Sequence, residues 1–154
     1  MTESIQDKLK SLGITLPQAA APAANYVPWV ISGNQMFVSG QLPMEDGKIA
    51  VAGRLGDNVS LEDGQRAARL CAVNILAQAR AALGDLDRVT RIVRLGGFVA
   101  SADSFTDQPK VVNGASDLMV EVFGDKGRHA RAAVGVNTLP LGVAVEIDAI
   151  IEFA

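Results

Sequence analysis

The fold is decided by residues 128–150, which read RHARAAVGVNTLPLGVAVEIDAI. Side-chain types alternate on both sides of the loop 137–142, and this period of two is typical of β-strands. Arg131 shares one face of the first strand with two very small residues, Ala133 and Gly135. The stretch therefore predicts two strands that carry charged side chains beside empty space.

A hairpin closed by the loop 137–142 would bring the charges of the two strands together. In that register Arg131 lies opposite Asp148, and Ala133 lies opposite Glu146. Arg131 and Glu146 are then diagonal neighbours, roughly 7–8 Å apart at Cα. Arg131 could grip a small carboxylate while Glu146 holds a water or moves a proton. Alternatively, Arg131 is neutralised in a cross-strand ion pair, and spacing alone favours this second interpretation.

The composition is that of a single globular domain. The chain has 154 residues, of which 49% are hydrophobic and 20% charged, and its net charge is −3. A negative net charge makes nucleic acid an unfavourable partner. We see neither a signal peptide nor an apolar run long enough to span a membrane. A single cysteine excludes an intrachain disulfide, and together these features favour a cytoplasmic protein.

Periodicity and end signals predict the remaining elements. Ser60 precedes a first turn that contains Glu62 and Asp63, as expected at a helix N-terminus, and Gly84 is suited to the position after the helix. The predicted helices are 3–12, 60–84 and about 107–124, and the predicted strands are 27–31, 35–40, 48–51 and 88–100. Gly96 and Gly97, in the middle of the last of these strands, predict a bulge or a close backbone approach.

This order of elements predicts an α+β sandwich, in which two helices cover one face of a mixed sheet. The helix at 3–12 is additional to that core. We therefore expect an N-terminal helix and linker at residues 1–23, followed by the domain proper at residues 24–154.

The terminal stretch also resembles a known signature. Its pattern ARxxVxVxxLPxxxxVEIxAI, at 130–150, is similar to that of the Rid family, also called YjgF or L-PSP. Tyr26, the segment FVSGQ at 37–41 and the pair Val112-Asn113 match further family positions in order and at consistent spacing. The resemblance covers roughly residues 24–153.

The resemblance implies a chorismate-mutase-like fold and a homotrimer with clefts between subunits. Characterised members hydrolyse enamines and imines of amino acids to 2-keto acids and ammonia, without a cofactor or metal. By residue-wise match, Arg131 would bind the substrate carboxylate and Glu146 would position the attacking water. The other positions that the resemblance assigns to the cleft are Tyr26, Ser39, Gly40, Asn113 and Ala133.

Several positions depart from the family pattern and keep other functions open. Many members carry a cysteine at Ala133, an aromatic residue at Ser116 and a serine at Val27. A non-catalytic protein that binds small carboxylates would reuse the same pocket. Ribonuclease activity is a third hypothesis, since Lys126, Arg128 and Arg131 form a small basic cluster, but few aromatic residues are available for base stacking.

Two further side chains have an ordinary structural interpretation. His129 is the only histidine; it could act as an acid or base beside Arg131, but a loop position before the strand is the simpler interpretation. One histidine without a neighbouring cysteine does not make a usual zinc site. Cys71 lies on an alanine-rich helix stripe and is expected to be a packed core thiol.

Overall fold

Seven strands and three helices occur within residues 3–21 and 25–154, which are the residues that this computed structural model describes. The helices are α1 (Ile5–Ser11), α2 (Leu61–Leu83) and α3 (Gln108–Phe123). The strands are β1 (Trp29–Ser32), β2 (Gln35–Gln41), β3 (Met44–Glu45), β4 (Lys48–Ile49), β5 (Val89–Ala100), β6 (Ala130–Val136) and β7 (Val145–Phe153). The predicted domain boundary between residues 23 and 24 lies outside the described residues.

Five strands form one mixed sheet in the order β1-β2-β7-β5-β6. Strand β5 pairs in parallel with β6 and antiparallel with β7, so it lies between the last two strands of the chain. The predicted terminal hairpin is therefore wrong. Helix α3 carries the chain from β5 to β6, as a parallel pairing requires, and β7 then joins the opposite side of β5.

The third predicted strand is also different from the one observed. The stretch 48–51 contributes only Lys48–Ile49, and this strand pairs with Met44–Glu45 in a separate two-stranded hairpin. Asp46 and Gly47 form the turn of this hairpin and have positive φ values of 54° and 76°. A two-residue hairpin turn of type I′ requires positive φ at both positions.

Helices α2 and α3 cover one face of the sheet, as the sequence predicts. The Ser60 hydroxyl accepts a hydrogen bond from the Asp63 backbone N–H, and Gly84 caps the other end of α2 with φ of 81°. The apolar face of β7 is part of the core beneath these helices. Its buried residues are Val145, Ile147, Ala149 and Ile151.

The N-terminal segment packs onto this domain. Leu9 and Leu16 are buried in the common core, and the backbone N–H of Ile5 donates to the Asp87 carboxylate at 2.7 Å. Arg80 of α2 donates to the carbonyls of Leu16 and Pro17. Within the described residues, no helix combines the length and apolar composition needed to cross a membrane.

Glycines allow the layers to approach closely. A Cβ at Gly114 of α3 would overlap the backbone carbonyl of Gln65 in α2. A Cβ on Gly97 would lie 2.6 Å from Val112, so the predicted close approach at Gly96-Gly97 is confirmed at this position. Because backbone atoms cannot move aside as a flexible side chain can, Gly114 sets the distance between the two helices.

Gly114→Ala is therefore expected to destabilise the protein. In an open helix the same change is stabilising by about 0.5–1 kcal/mol, but here the new methyl group forces two backbones apart and costs about 1–3 kcal/mol. Urea unfolding measures the difference. The control is Lys110→Ala on the exposed side of α3, which should change the free energy of unfolding by less than about 0.5 kcal/mol. A Gly114→Ala protein more stable than the parent would contradict the packing argument.

Candidate active site

Arg131 lies in the edge strand β6 and points towards α3. Its Nη1 donates to Asn113 Oδ1 at 2.8 Å and to Ser116 Oγ at 3.1 Å, while Nη2 donates to the Pro109 carbonyl at 3.3 Å. All three acceptors are formally neutral. Within the described chain, no carboxylate lies within salt-bridge distance of this guanidinium.

The guanidinium therefore keeps both its charge and part of its hydrogen-bonding capacity. It has five N–H donors, and the Asn113, Ser116 and Pro109 contacts occupy three of them. The N–H of Nε and one N–H of Nη2 have no partner among the described residues. Arg131 is held in place from one side and can still bind an anion.

His129 extends this arrangement. Its Nδ1 lies 2.6 Å from the Gly127 carbonyl and its Nε2 lies 2.8 Å from Ser116 Oγ. A carbonyl can only accept, so Nδ1 carries the proton of the neutral ring and Nε2 accepts from the Ser116 hydroxyl. The Ser116 oxygen in turn accepts from Arg131. We call Arg131, Asn113, Ser116 and His129 the arginine cluster.

Glu146 lies in β7 on the other face of the sheet. Its carboxylate is pressed against Gly40 of the neighbouring strand β2, where even one methyl group on Gly40 would collide with it. Burial, and secondly the negative charge of Asp148, raise the pKa of Glu146 above its usual range. A carboxyl group with a raised pKa is suited to accept and return a proton.

Asp148 does not compete for Arg131, contrary to the ion-pair interpretation. It lies beside Arg94 of β5, with 3.6 Å between Arg94 Nη1 and Asp148 Oδ1. Burial raises the pKa of Asp148, and this effect exceeds the opposing influences of Arg94 and the Gly96 backbone N–H. The predicted Arg131–Asp148 contact required the terminal hairpin, which does not form.

Arg131 and Glu146 are also not the diagonal neighbours that the hairpin implies. Arg131 is level with Leu95 and Ala149 across the sheet, on the helix-covered face. Glu146 is level with Phe98 on the opposite face. Two strand spacings and three residues along the strand place the two Cα atoms about 14 Å apart. They cannot act on one small substrate within a single chain.

Two further predicted cleft residues, Ser39 and Gly40, lie in β2, the strand next to the one that carries Glu146. The Ser39 hydroxyl donates to the Val27 carbonyl at 2.8 Å, and the Ser39 backbone N–H donates to the Pro28 carbonyl at 2.9 Å. These bonds fasten the segment that carries the exposed side chain of Tyr26. We call Tyr26, Ser39, Gly40 and Glu146 the glutamate cluster.

Of the remaining predicted residues, Asn113 belongs to the arginine cluster, and Ala133 lies one alternation further along β6 on the same face. Ser116 was named as a departure from the family pattern, and a loop position was the simpler interpretation of His129, although the spacing of both residues contained the signal. Asn113 and Ser116 are one helical turn apart, and His129 precedes Arg131 by two strand positions. The Pro109 carbonyl carries no signal in the sequence.

Cys71 is a core thiol, as predicted. It is fully buried, and burial, followed by the charge of Glu146, raises the pKa of this thiol well above its ordinary value. The neutral thiol contacts the Val145 carbonyl, with 3.6 Å from sulfur to oxygen. It is therefore a poor nucleophile.

The mixed sheet with two helices on one face is a chorismate-mutase-like α+β domain, here with one charged cluster near each side of the sheet. Comparison with known proteins gives the same class. Residues 6–152 match the family model described as "YjgF/chorismate_mutase-like, putative endoribonuclease". The chain therefore belongs to the YjgF/L-PSP family, also called Rid.

Individual relatives support the assignment over nearly the whole length. Protein TCP17 of Trypanosoma cruzi is 57% identical over 145 residues, which are 94% of this chain and 91% of that protein. The crystal structure of Atu1372 from Agrobacterium tumefaciens, described as of unknown function, is 58% identical with a TM-score of 0.92; the match covers 97% of this chain and 92% of that one. A structure from Shewanella oneidensis is 36% identical with a TM-score of 0.96, over 98% and 100% of the two chains.

Replacing Glu146 with glutamine should change the pH dependence of stability. The pKa of Glu146 is raised in the folded state, so ionisation of this carboxyl group opposes folding above the raised pKa. Well below the ordinary pKa of a glutamate, the group is protonated in both the folded and the unfolded state and has no such effect. Glu146→Gln is therefore expected to be more stable than the parent at neutral pH, by a margin that shrinks as the pH falls. Thermal melts between about pH 4 and 8, a range of about twice the width of one titration step, measure it.

Glu121→Gln, on the exposed side of α3, is the matched control and should not reproduce this trend. A stability gain for Glu146→Gln that is constant across the pH range would contradict the assigned direction.

The hydrogen-bond chain predicts the tautomer of His129. Long-range ¹H–¹⁵N spectra of the neutral ring should find the proton on Nδ1 and the lone pair on Nε2. In Ser116→Ala the Nε2 contact is lost, and the bond to Gly127 alone should keep the proton on Nδ1 while the Nε2 resonance shifts. A proton on Nε2 in the parent protein would exclude the proposed chain from Ser116 to His129.

Proposed function

We propose that this protein is an enamine/imine deaminase, which hydrolyses 2-imino and 2-enamino acids to 2-keto acids and ammonia. The observation that carries the proposal is Arg131, whose guanidinium is oriented by neutral acceptors and has two N–H donors without a partner among the described residues. An oriented cation without an ionic partner is suited to a small carboxylate. Membership of the Rid family adds support from proteins that resemble this one.

The chemistry needs little more than orientation and a proton acceptor. Water adds to the electrophilic C2 of the protonated imine, and Glu146 takes one proton from that water as the C–O bond forms. Glu146 returns this proton to the nitrogen of the resulting carbinolamine, and the C2–N bond breaks as the lone pair of the hydroxyl oxygen forms the C2=O bond. The hydroxyl proton leaves with this step and ends on the released ammonia, which becomes ammonium. Imine, water and a proton thus give the keto acid and ammonium, and no electrons are gained or lost.

The site requires two copies of the chain. Arg131 is on an edge strand and Glu146 is about 14 Å away on the other face of the sheet, as judged from strand spacings. A contact that joins β6 of one subunit to the glutamate cluster of the next would bring them together. Such a head-to-tail contact closes into a ring, and the family resemblance favours a homotrimer.

The uncovered sheet face supports this association. Helices α2 and α3 leave the opposite face free within the described chain, and large apolar side chains are exposed there, namely Val30, Phe37 and Val134. These side chains are 53%, 41% and 45% exposed in the single chain. Apolar side chains grouped on one face are typical of an interface.

Arg131→Ala is expected to lower kcat/KM for 2-iminopropanoate by about tenfold to a hundredfold, since a charged hydrogen-bond partner is lost. Arg131→Lys should retain only part of the activity because an ammonium group cannot form the two parallel hydrogen bonds that a guanidinium forms with a carboxylate.

Glu146→Gln should lower kcat by about 10²- to 10⁴-fold. The assay generates the imine in situ and follows pyruvate release, with Arg69→Ala on α2 as the control. If pyruvate forms no faster than in buffer without protein, and the protein still binds keto acids, the result would instead favour a carboxylate-binding protein.

A mixture of the two impaired variants tests the shared site. The test assumes that Arg131 and Glu146 act from different subunits. Arg131→Ala and Glu146→Gln chains are unfolded together and refolded as a mixture. Random assembly then brings an intact Arg131 to an intact Glu146 at about one interface in four, so the mixture should regain up to about a quarter of the parental activity. Light scattering should report a trimer. A stable monomer, or no recovery in verified mixed trimers, would overturn the shared-site arrangement.

A further inference from the structure

A cavity next to the glutamate cluster is the strongest unassigned feature of the molecule. Its volume is about 140 Å³, and its walls include Ala20, Ala21, Tyr26, Gly40, Met44 and Leu141. Gly40 joins it to the glutamate cluster, since the same residue lines the cavity and packs against the Glu146 carboxylate. A ligand whose reacting carbon lies near Glu146 could therefore extend into this space.

The N-terminal segment builds part of the wall. Gln78 of α2 is almost fully buried, and its Nε2 donates to the Ala20 carbonyl at 2.8 Å. Arg80, two residues further along α2, donates to the carbonyls of Leu16 and Pro17. These bonds hold the segment 16–21 over α2. The shape of the cavity therefore depends on this segment, which precedes the first strand of the sheet.

The other polar wall residues are occupied by structural contacts. Asn74 Nδ2 donates to the carbonyls of Leu42 and Met44, and Gln41 Nε2 donates to the Ser39 carbonyl. Among the described residues, no carboxylate, lysine or arginine lines the cavity. One wall atom, Gln78 Oε1, is buried without a hydrogen-bond partner, and the remaining wall offers an incoming group mainly apolar contact. The size is near that of a cavity of about 150 Å³ that holds benzene.

We propose that this cavity binds the apolar side chain of the substrate, and that the protein prefers imines with a branched or aromatic side chain to 2-iminopropanoate. The inference rests on the proposed deaminase function and specifies its substrate class. The substrate carboxylate meets Arg131 of the partner subunit, C2 lies beside Glu146, and the side chain enters the cavity past Gly40. The segment 16–21 thus determines specificity without touching the reacting atoms.

The first measurement compares kcat/KM for 2-imino-4-methylpentanoate and 2-iminopropanoate, generated in situ by an amino-acid oxidase. Burial of three additional carbons should favour the larger imine by about tenfold to a hundredfold. Ala20→Phe, which places a ring at the cavity wall, should reduce that ratio to about one while leaving the smaller imine's kcat/KM within about threefold of the parent. Gln18→Phe is the control, because this exposed residue is on the same segment but does not line the cavity.

The outcomes separate this inference from the deaminase proposal. Equal kcat/KM values for both imines, or a ratio that Ala20→Phe leaves unchanged, would overturn the cavity assignment while the deaminase remains. If the protein hydrolyses neither imine, the deaminase proposal fails, and calorimetry with the keto acids then decides the cavity assignment. The cavity assignment is supported if 4-methyl-2-oxopentanoate binds more tightly than pyruvate and this difference is lost in Ala20→Phe but kept in Gln18→Phe. Equal binding of the two keto acids would contradict the cavity assignment.

Discussion

The structure depends on the close packing of α3 against β5, the strand between β6 and β7. Gly97 has no side chain between the sheet and Val112, so the helix axis lies close to the strand. At this depth, Asn113 and Ser116 on the next turn reach the guanidinium on β6. The position of Arg131 is thus set by a backbone contact in the middle of the domain.

The same strand separates the charged groups. With β5 between β6 and β7, residues that would face each other in a hairpin are two strands apart. Had the hairpin formed, Arg131 would have had Asp148 opposite and Glu146 nearby. The guanidinium would then have been neutralised, and the pKa of a paired glutamate would have been lowered. Placed as they are, Arg131 keeps free donors and the pKa of Glu146 is raised.

The sequence predicted the features that depend on local interactions along the chain. Ser60 and Gly84 marked the ends of α2 through capping, and the alternation in 88–100 and 130–136 gave strands with the correct faces. Family membership followed from residues 130–150 and is confirmed. The order of strands could not be found in the same way, because alternation identifies a strand's faces but not its neighbours. Of the short β3–β4 hairpin only the second strand was predicted, at 48–51, and its partner was missed, since two residues per strand make no periodic pattern.

The arginine cluster explains how one family position can change without loss of the pocket. An aromatic residue in place of Ser116 could pack beside the guanidinium, but it would accept no hydrogen bond from it. Here the hydroxyl accepts from Arg131 and donates to His129, whose ring is fixed by Gly127. The small side chain leaves space, and the hydrogen bonds supply the orientation that a bulky neighbour would otherwise give. Polar bracing of this kind holds a guanidinium without neutralising it, which a carboxylate neighbour could not do.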